Sequence, residues 1–479
     1  MIPFIDNDKF IEECGIFGIF NSKDAANNTI LGLHALQHRG QEAGGIVTYD
    51  GKYFSIQTAD GLVSENLNSQ KIVDKLKGNM AIGHVRYSTA GKKNSRNYQP
   101  ILVEFDFGFL ALAHNGNLTN AKILRKQLIK NGAIFQSTMD TEVITHLIAH
   151  SKKNTIIDKI IDALGQIQGA FSLTAIYKDT IIAFRDPKGV RPLSLGKLGE
   201  SQIIASETCA FDIIGANFVR DIKPGEMLII NNQETKSIFP FEKQPSKFCI
   251  FEYIYFARPD SIIDNKNIYQ VRKNIGAILA QEAKIDADLI VPVPDSGVPA
   301  AIGYANESKI PFELGIIRNH YVGRTFIEPT DKIRHFGVKL KHNANNSIIK
   351  GKRVILIDDS IVRGTTSKKI VQMIRDAGAS EVSMLIASPP TISPCYYGID
   401  TPDKKDLMAA NFNIDEIKKM IGVDHLAYIS INGLYQAVAN CQRDNNNPQY
   451  CDACFTNDYP IRVADIVGDE TPLLNIEND

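Results

Sequence analysis

Residues 354–367 read VILIDDSIVRGTTS. The apolar run 354–357 stops at Asp358 and Asp359, and the helix-competent stretch TTSKKIVQMIRDAGA follows from Thr365. An almost wholly apolar strand ending in acids is the pattern of a parallel strand covered on both faces. The Gly364-Thr365-Thr366 turn then sets backbone N–H groups and hydroxyls at a helix N-terminus, where an anion is stabilised. The carboxylate pair suits ribose hydroxyls or a hydrated Mg²⁺. Phosphate and ribose together on one loop describe a ribose 5-phosphate. Neither G-x-x-x-x-G-K nor G-x-G-x-x-G occurs in this loop, so it is neither a Walker A loop nor a dinucleotide turn. Asp358-Asp359-Ser360 alone would equally fit solvated acids before a capped helix. The addition of Arg363-Gly364-Thr365-Thr366 narrows the reading to phosphate.

Outward from this loop, ADLIVPVP (287–294) and SEVSMLIASP (380–389) are similar apolar runs. The helical stretch between two such strands closes with Gly378 at a plausible C′ position. Strands alternating with helices predict a doubly wound α/β domain. Farther upstream, NNQETKSIFPFEKQPSK (231–247) is polar, carries two prolines and reads as a linker. Before it, short β-like runs such as CGIFGIF, GGIVTYD, MAIGHVRYST and FLALAHNGNL are broken by Gly and Asn. Two helical patterns interrupt them. One runs from Asn120 to Asn131, and one begins after Asp140 with Val143, Ile144, Leu147 and Ile148 on one face. This half predicts an α+β layered domain.

The chain has 479 residues, and one core rarely grows beyond about 250–300, so at least two domains are expected. Lys+Arg total 53 and Asp+Glu 54, a net charge of −1. That balance argues against a protein that coats nucleic acid or an anionic membrane. No apolar run reaches the roughly 18 residues that span a bilayer. The start, MIPFIDNDKFIEEC, carries acids before any base and lacks an apolar stretch, which does not fit a secretory signal. Seven cysteines do not form a secreted disulfide scaffold, so a cytoplasmic protein is expected. Cys451 and Cys454 form a CxxC pair, with Cys249 and Cys395 distant. Such a set holds zinc or an iron–sulfur cluster, and CxxC alone fits a thiol–disulfide pair. Cys441 rivals for one ligand position, and Cys209 reads as core. His34, His38, His84 and His114 lack metal-ligand spacing and read as structural hydrogen-bonders.

Cys14 in a strand would, on its own, be a core residue. Its company changes this. LQHRGQEAGG, GHVRYSTAG, AHNGNLTN and the isolated Asp140 are polar and turn-rich. Together they resemble, over residues 14–230, the glutamine amidotransferase domain of the N-terminal nucleophile hydrolases. That resemblance implies an αββα fold, a leader (1–13) that is cleaved, and Cys14 as nucleophile. The exposed α-amino group of Cys14, with a pKa near 7.7–8.0, then serves as base. It further implies Arg86 for the carboxylate of glutamine, Asp140 for its ammonium, and Asn115 with the Gly116 N–H for the oxyanion. Tyr87 and Thr89 would wall the glutamine site, with Arg39 supporting the nucleophile strand and counted among the glutamine-binding residues.

VILIDDSIVRGTTS resembles the type I phosphoribosyltransferase signature, which implies that Asp358, Asp359, Ser360, Arg363, Gly364, Thr365 and Thr366 bind phosphoribosyl pyrophosphate. VPVPDSG (291–297) resembles the other edge of that site, with Ser296 joining Asp358 and Asp359 on Mg²⁺. The segment from Arg318 to His342 holds six bases against two acids and resembles a mobile lid that includes Lys339. Over essentially its whole length the chain resembles the amidophosphoribosyltransferases. The Bacillus-type branch implies a [4Fe–4S] cluster on Cys249, Cys395, Cys451 and Cys454. The family implies a homodimer or homotetramer and inhibition by purine nucleotides. The expected units are 14–235 for glutamine amidotransfer and 236–479 for phosphoribosyl transfer. Glucosamine 6-phosphate synthases and asparagine synthetases share the first half but lack the Asp358-Asp359…Gly364-Thr365-Thr366 loop. A phosphoribosyl pyrophosphate sensor with a dead first half is opposed by the intact Cys14, Arg86, Asn115, Gly116 and Asp140.

Overall fold

The computed structural model describes residues 11–12, 14–87, 95–318 and 342–466. The first unit stacks two antiparallel sheets of seven and six strands. CGIFGIF becomes the strand Cys14–Phe20, buried at every position because both faces of its sheet are covered. Alternation sorts its side chains. Ile16 and Phe20 point between the sheets, where they meet Ala111, Ala113 and Ile176 of the other sheet. Phe17 and Ile19 point outward against the helix Ala25–Ala35. On the far side, the helices Ala121–Lys130, Asp140–His150 and Ile156–Leu164 cover Leu110, Leu112 and Leu173. The result is the expected αββα layering. Both forecast helices form, and Val143, Ile144, Leu147 and Ile148 are all buried.

The second unit is built on four parallel strands, with Leu289–Pro292, Arg353–Asp358, Glu381–Ile386 and His425–Tyr428 side by side in that order. Ile290, Ile355 and Ile357 pack on the helices Ile268–Glu282 and Val298–Ser308. Val291, Leu356 and Met384 pack on Thr365–Asp376 and Ile414–Ile421. Both faces are covered, which explains the continuous apolar runs. Gly378 takes a left-handed φ of 92° just past the helix C-cap, as the C′ reading required.

One boundary moves. Thr235–Ile238 pairs antiparallel with Met227–Ile230 as the edge strand of the six-stranded sheet. A division at 235/236 therefore cuts a strand, and the connection between units is 239–247. The strand escaped the sequence reading because its first three residues, Thr235, Lys236 and Ser237, are all exposed and polar. The units meet closely. Ile11–Glu12 of the expected leader pairs with Ile399–Asp400 of the second unit. Asn117 Nδ2 donates to the Tyr396 carbonyl at 2.9 Å.

Candidate active sites

Cys14 opens the central strand of the seven-stranded sheet and sits directly opposite Arg86 on the neighbouring strand. Opposed residues of an antiparallel pair share a face. Cys14 also lies two residues before Ile16, so its side chain is on the face turned toward the second sheet. Asn115 is two residues beyond the inter-sheet Ala113 and faces back toward it. The two strands are tied by Ser206. Its Oγ accepts from Ile16 N at 3.0 Å and from Asn115 Nδ2 at 3.1 Å, and its own N–H donates to Ile16 O at 3.0 Å. Gly116 has φ 143°, and a Cβ there would stand 2.0 Å from the Ala170 carbonyl. Only glycine fits, which leaves the backbone at this point open to a close approach.

The expected glutamine ligands Arg86, Tyr87 and Asp140 lie among the described residues. Arg86 is buried, and its NH1 has no hydrogen-bond partner among the described residues. A buried unpaired guanidinium nitrogen calls for an acceptor such as a carboxylate. Asp140 is the first residue of its helix, not a side-chain cap, and its Oδ2 accepts from Leu118 N at 3.0 Å. Burial pushes its carboxyl upward, but the adjacent His114 and the Leu118 N–H outweigh this and hold it below the usual range. It is thus an anion at neutral pH. Tyr87 is raised by burial and by the nearby carboxylates of Glu42 and Asp400, so it stays a neutral phenol.

Arg39 requires a correction. Its guanidinium is wholly buried and paired with Glu207 and Glu252, the latter at 2.7 Å. These carboxylates occupy the fork that a glutamine carboxylate would need, so Arg39 supports the structure and does not bind glutamine. It lies against the strand Cys14–Phe20, since a Cβ on Gly15 would be 3.4 Å from Arg39 Cβ. Glu207 also accepts from Arg258 N at 2.8 Å and Ser261 Oγ at 2.7 Å, which joins the two units in one buried network. Thr89, Lys339 and the interior of the basic segment lie outside the described residues. The described ends of that segment, Ile316–Arg318 and His342–Ala344, pair as a ribbon.

In the second unit Asp358 and Asp359 are buried at the carboxyl end of their strand. Asp359 Oδ1 accepts from Ser296 Oγ at 2.5 Å, and its Oδ2 accepts from Ser360 Oγ at 2.6 Å. The residues forecast from two separate motifs therefore converge. Buried Arg272 donates to the Tyr253 and Ala257 carbonyls. Desolvation lowers its guanidinium to about 10 even with Asp359, Glu207 and Glu252 opposing. Gly364 takes φ 75° as the N-cap of Thr365–Asp376 and no side chain caps that end, so the first-turn N–H groups are left for another acceptor. The Arg363 charge acts on Asp400, and that carboxyl also feels Glu42 of the first unit.

Cys249, Cys395, Cys451 and Cys454 line one small cavity with Phe251, Tyr397 and Ile399. Parallel pairing of Phe248–Cys249 with Tyr450–Cys451 sets two of the thiols abreast. Burial raises Cys249 to about 12, and Cys451 and Cys454 also rise well above an ordinary thiol through burial and the other cysteines. Tyr397 N–H donates to Cys395 Sγ at 3.3 Å. Among the described residues no three His, Cys, Asp or Glu side chains are grouped closely enough for a single metal ion. Cys441 does not line the cavity, and Cys209 is buried beside Glu207. Of the four histidines, His38, His84 and His114 make hydrogen bonds. His34 is exposed, and its carbonyl accepts from Leu36 N at the end of its helix.

Sequence reasoning passed over Ser206, Glu207, Glu252 and Arg272. The only signal was a polar Ser-Glu-Thr run directly after the apolar SQIIA.

Known proteins agree with this two-site geometry. Residues 84–212 match the model of a glutamine amidotransferase domain, and residues 260–388 that of a phosphoribosyl transferase domain. An amidophosphoribosyltransferase of Rhizobium etli is 54% identical over 97% of this chain and 95% of its own length. The chain belongs to the amidophosphoribosyltransferase family. A Bacillus subtilis amidophosphoribosyltransferase is 48% identical over 94% of this chain and 95% of its own. The structure of the B. subtilis glutamine phosphoribosylpyrophosphate amidotransferase complexed with ADP and GMP superposes with a TM-score of 0.89. It is 47% identical and covers 94% of this chain and 98% of that one. Family membership and the observed pair of sites exclude the synthetases that share only the first half.

Proposed function

We propose that this chain makes 5-phosphoribosylamine from phosphoribosyl pyrophosphate and glutamine, releasing glutamate and pyrophosphate, the first committed step of purine biosynthesis. The observation that carries this reading is the meeting of two distinct sites in one molecule. The Cys14–Asn115–Gly116 site and the Asp358–Asp359–Gly364 loop are linked through Tyr396, which accepts from Asn117, and Asp400, which feels Arg363 and Glu42, and both links survive removal of the leader.

Removal of residues 1–13 frees the α-amino group of Cys14 to take up the thiol proton. The sulfur adds to the amide carbon of glutamine, whose carboxylate rests on Arg86 and whose ammonium rests on Asp140. Asn115 and the Gly116 N–H receive the oxyanion. Ammonia leaves, and water resolves the thioester to glutamate. At the second site Ser360, Arg363, Thr365, Thr366 and the first helical turn hold phosphate groups, and ammonia displaces pyrophosphate at the anomeric carbon. Geometry does most of this work, since the incoming amine needs only orientation and a stabilised leaving group. The oxygen donors Ser296, Asp358 and Asp359 fit a hard divalent cation such as Mg²⁺, which would neutralise departing pyrophosphate. Lys339 belongs to the same reading as a lid cation, and Thr89 as a glutamine-site wall.

The four-cysteine cavity fits a [4Fe–4S] cluster. Its lining brings four cysteines together with apolar carbon, and soft sulfur donors suit iron. Such a cluster would take up the thiolates whose charge the buried site disfavours, and would pin residues 451–454 to the start of the second unit. Anaerobically purified protein is expected to carry iron and acid-labile sulfide. Cys451→Ser should lose both and melt earlier, and full iron content in that variant would contradict the assignment. Purine nucleotides are proposed inhibitors, as the B. subtilis relative was solved with ADP and GMP. A homodimer or homotetramer in the cytoplasm completes the proposal, and no described helix is long and apolar enough to cross a membrane.

Cys14→Ala tests the division of labour. Glutamine-dependent product formation should vanish while ammonia-dependent formation persists. Equal loss of both would contradict it.

A further inference from the structure

Asn115 and Ser206 are both buried and stand between the two sheets at the nucleophile strand. As drawn, the Ser206 oxygen receives two N–H groups, from Ile16 and from Asn115 Nδ2. Its own proton meets no acceptor among the described residues. Asn115 Oδ1, meanwhile, is buried with no hydrogen-bond partner. A carboxamide's oxygen and nitrogen have nearly the same shape, so its orientation follows from the hydrogen bonds it satisfies. Turning the Asn115 amide by half a revolution gives the Ser206 hydroxyl an acceptor 3.1 Å away and keeps its bond from Ile16 N. Two unsatisfied groups, the Ser206 proton and Asn115 Oδ1, become one, the Asn115 Nδ2 donor. A buried donor left unpaired is costly, and that cost is relieved when a negative oxygen arrives.

We propose that Ser206 is the positioning residue of the oxyanion hole. Its hydroxyl donates to Asn115 Oδ1, turns Nδ2 toward the tetrahedral oxygen, and fixes that donor to the strand that carries Cys14. This rests on the assignment of Cys14 and Asn115 made above. The Ile16 N–H and O, both bonded to Ser206, hold the nucleophile strand at constant distance from the donor. Nucleophile and oxyanion donor thereby move as one body. No proton leaves Ser206 during the reaction, because its role is orientation alone.

A double-variant cycle on the full-length processed enzyme tests this. Ser206→Ala is expected to lower kcat for glutamine hydrolysis by about 10- to 100-fold, with KM for glutamine nearly constant. Ammonia-dependent synthesis should stay near wild type. In an Asn115→Ala background the same change should add less than about twofold, because Ser206 acts only through Asn115. Ser206→Cys preserves volume but is a weak donor, so it should give an intermediate loss, and it decides the matter should the alanine variant not fold. Wild-type glutaminase in Ser206→Ala, equal losses with glutamine and ammonia, or multiplicative losses in the double variant would each overturn the proposal. An Asn115→Ala enzyme with undiminished glutaminase would instead overturn the underlying assignment of the oxyanion donor.

Discussion

At the residue scale the amidotransferase site depends on polar side chains buried where a strand would ordinarily carry apolar ones. His84 shows the energetic side. It is fully buried across from Ile16, and desolvation, the Arg86 charge and His114 together lower its pKa to about 3, against a hydrogen bond to the His114 carbonyl. The folded chain therefore refuses a proton that the unfolded chain accepts below about 6.5. Nothing is lost above that pH, and stability declines as pH falls from about 6.5 toward 3, by up to about 1.4 kcal/mol per pH unit from this group. Unfolding free energies from denaturant titrations at pH 7 and 5.5 should differ by about 1 kcal/mol more in the wild type than in His84→Gln. An identical pH slope in both would contradict the assignment. Arg39 teaches the opposite lesson. Its motif was legible, but its partners Glu207 and Glu252 lie 168 and 213 residues away, a pairing that no local pattern reveals. Ser206 was invisible for the same reason, since its meaning lies in the two strands it joins.

At the scale of elements the phosphate loop was the most legible part. An apolar strand, two acids, a left-handed glycine and a helix were all written in consecutive residues, and the structure assembles them in that order. Gly364→Ala forces a side chain into φ 75° and toward the Met408 side chain, 2.6 Å from the new Cβ. The conformational cost is roughly 1–2 kcal/mol. KM for phosphoribosyl pyrophosphate should rise in the glutamine and ammonia reactions alike, while alkylation of Cys14 by a glutamine analogue without the sugar stays unchanged. A rise confined to the glutamine reaction would place the loop's role elsewhere. The edge strand Thr235–Ile238 was illegible because an exposed edge needs no apolar alternation, and its polar residues imitate a linker. The cysteine set was half legible. CxxC marked one side, but convergence with Cys249 depends on a two-residue parallel pairing across some 200 positions of chain.

Over the whole molecule the two units are joined by shared structure as well as by sequence. Glu252 and Ser261 of the second unit enter the buried network around Arg39 and Glu207. Gly398 closes on the strand Gly108–Leu118, where a Cβ would stand 2.9 Å from Gly116 Cα. Arg272 feels both Asp359 of the phosphate site and Glu207 and Glu252 of that network. A molecule whose two sites share these contacts and one buried arginine should couple their chemistry. The contacts lay beyond sequence reading, although the presence of two sites did not, because each site announces itself locally while their docking is a property of the folded surface. The central claim is that glutamine cleavage and the phosphoribosyl site form one reaction. Its most direct test is glutamate release from glutamine by anaerobically purified protein, with and without phosphoribosyl pyrophosphate and Mg²⁺. Strong stimulation by the sugar, with product and glutamate formed in equal amounts, is the expected result. Glutamine hydrolysis at the same rate in its absence, with no phosphoribosylamine in its presence, would contradict the account.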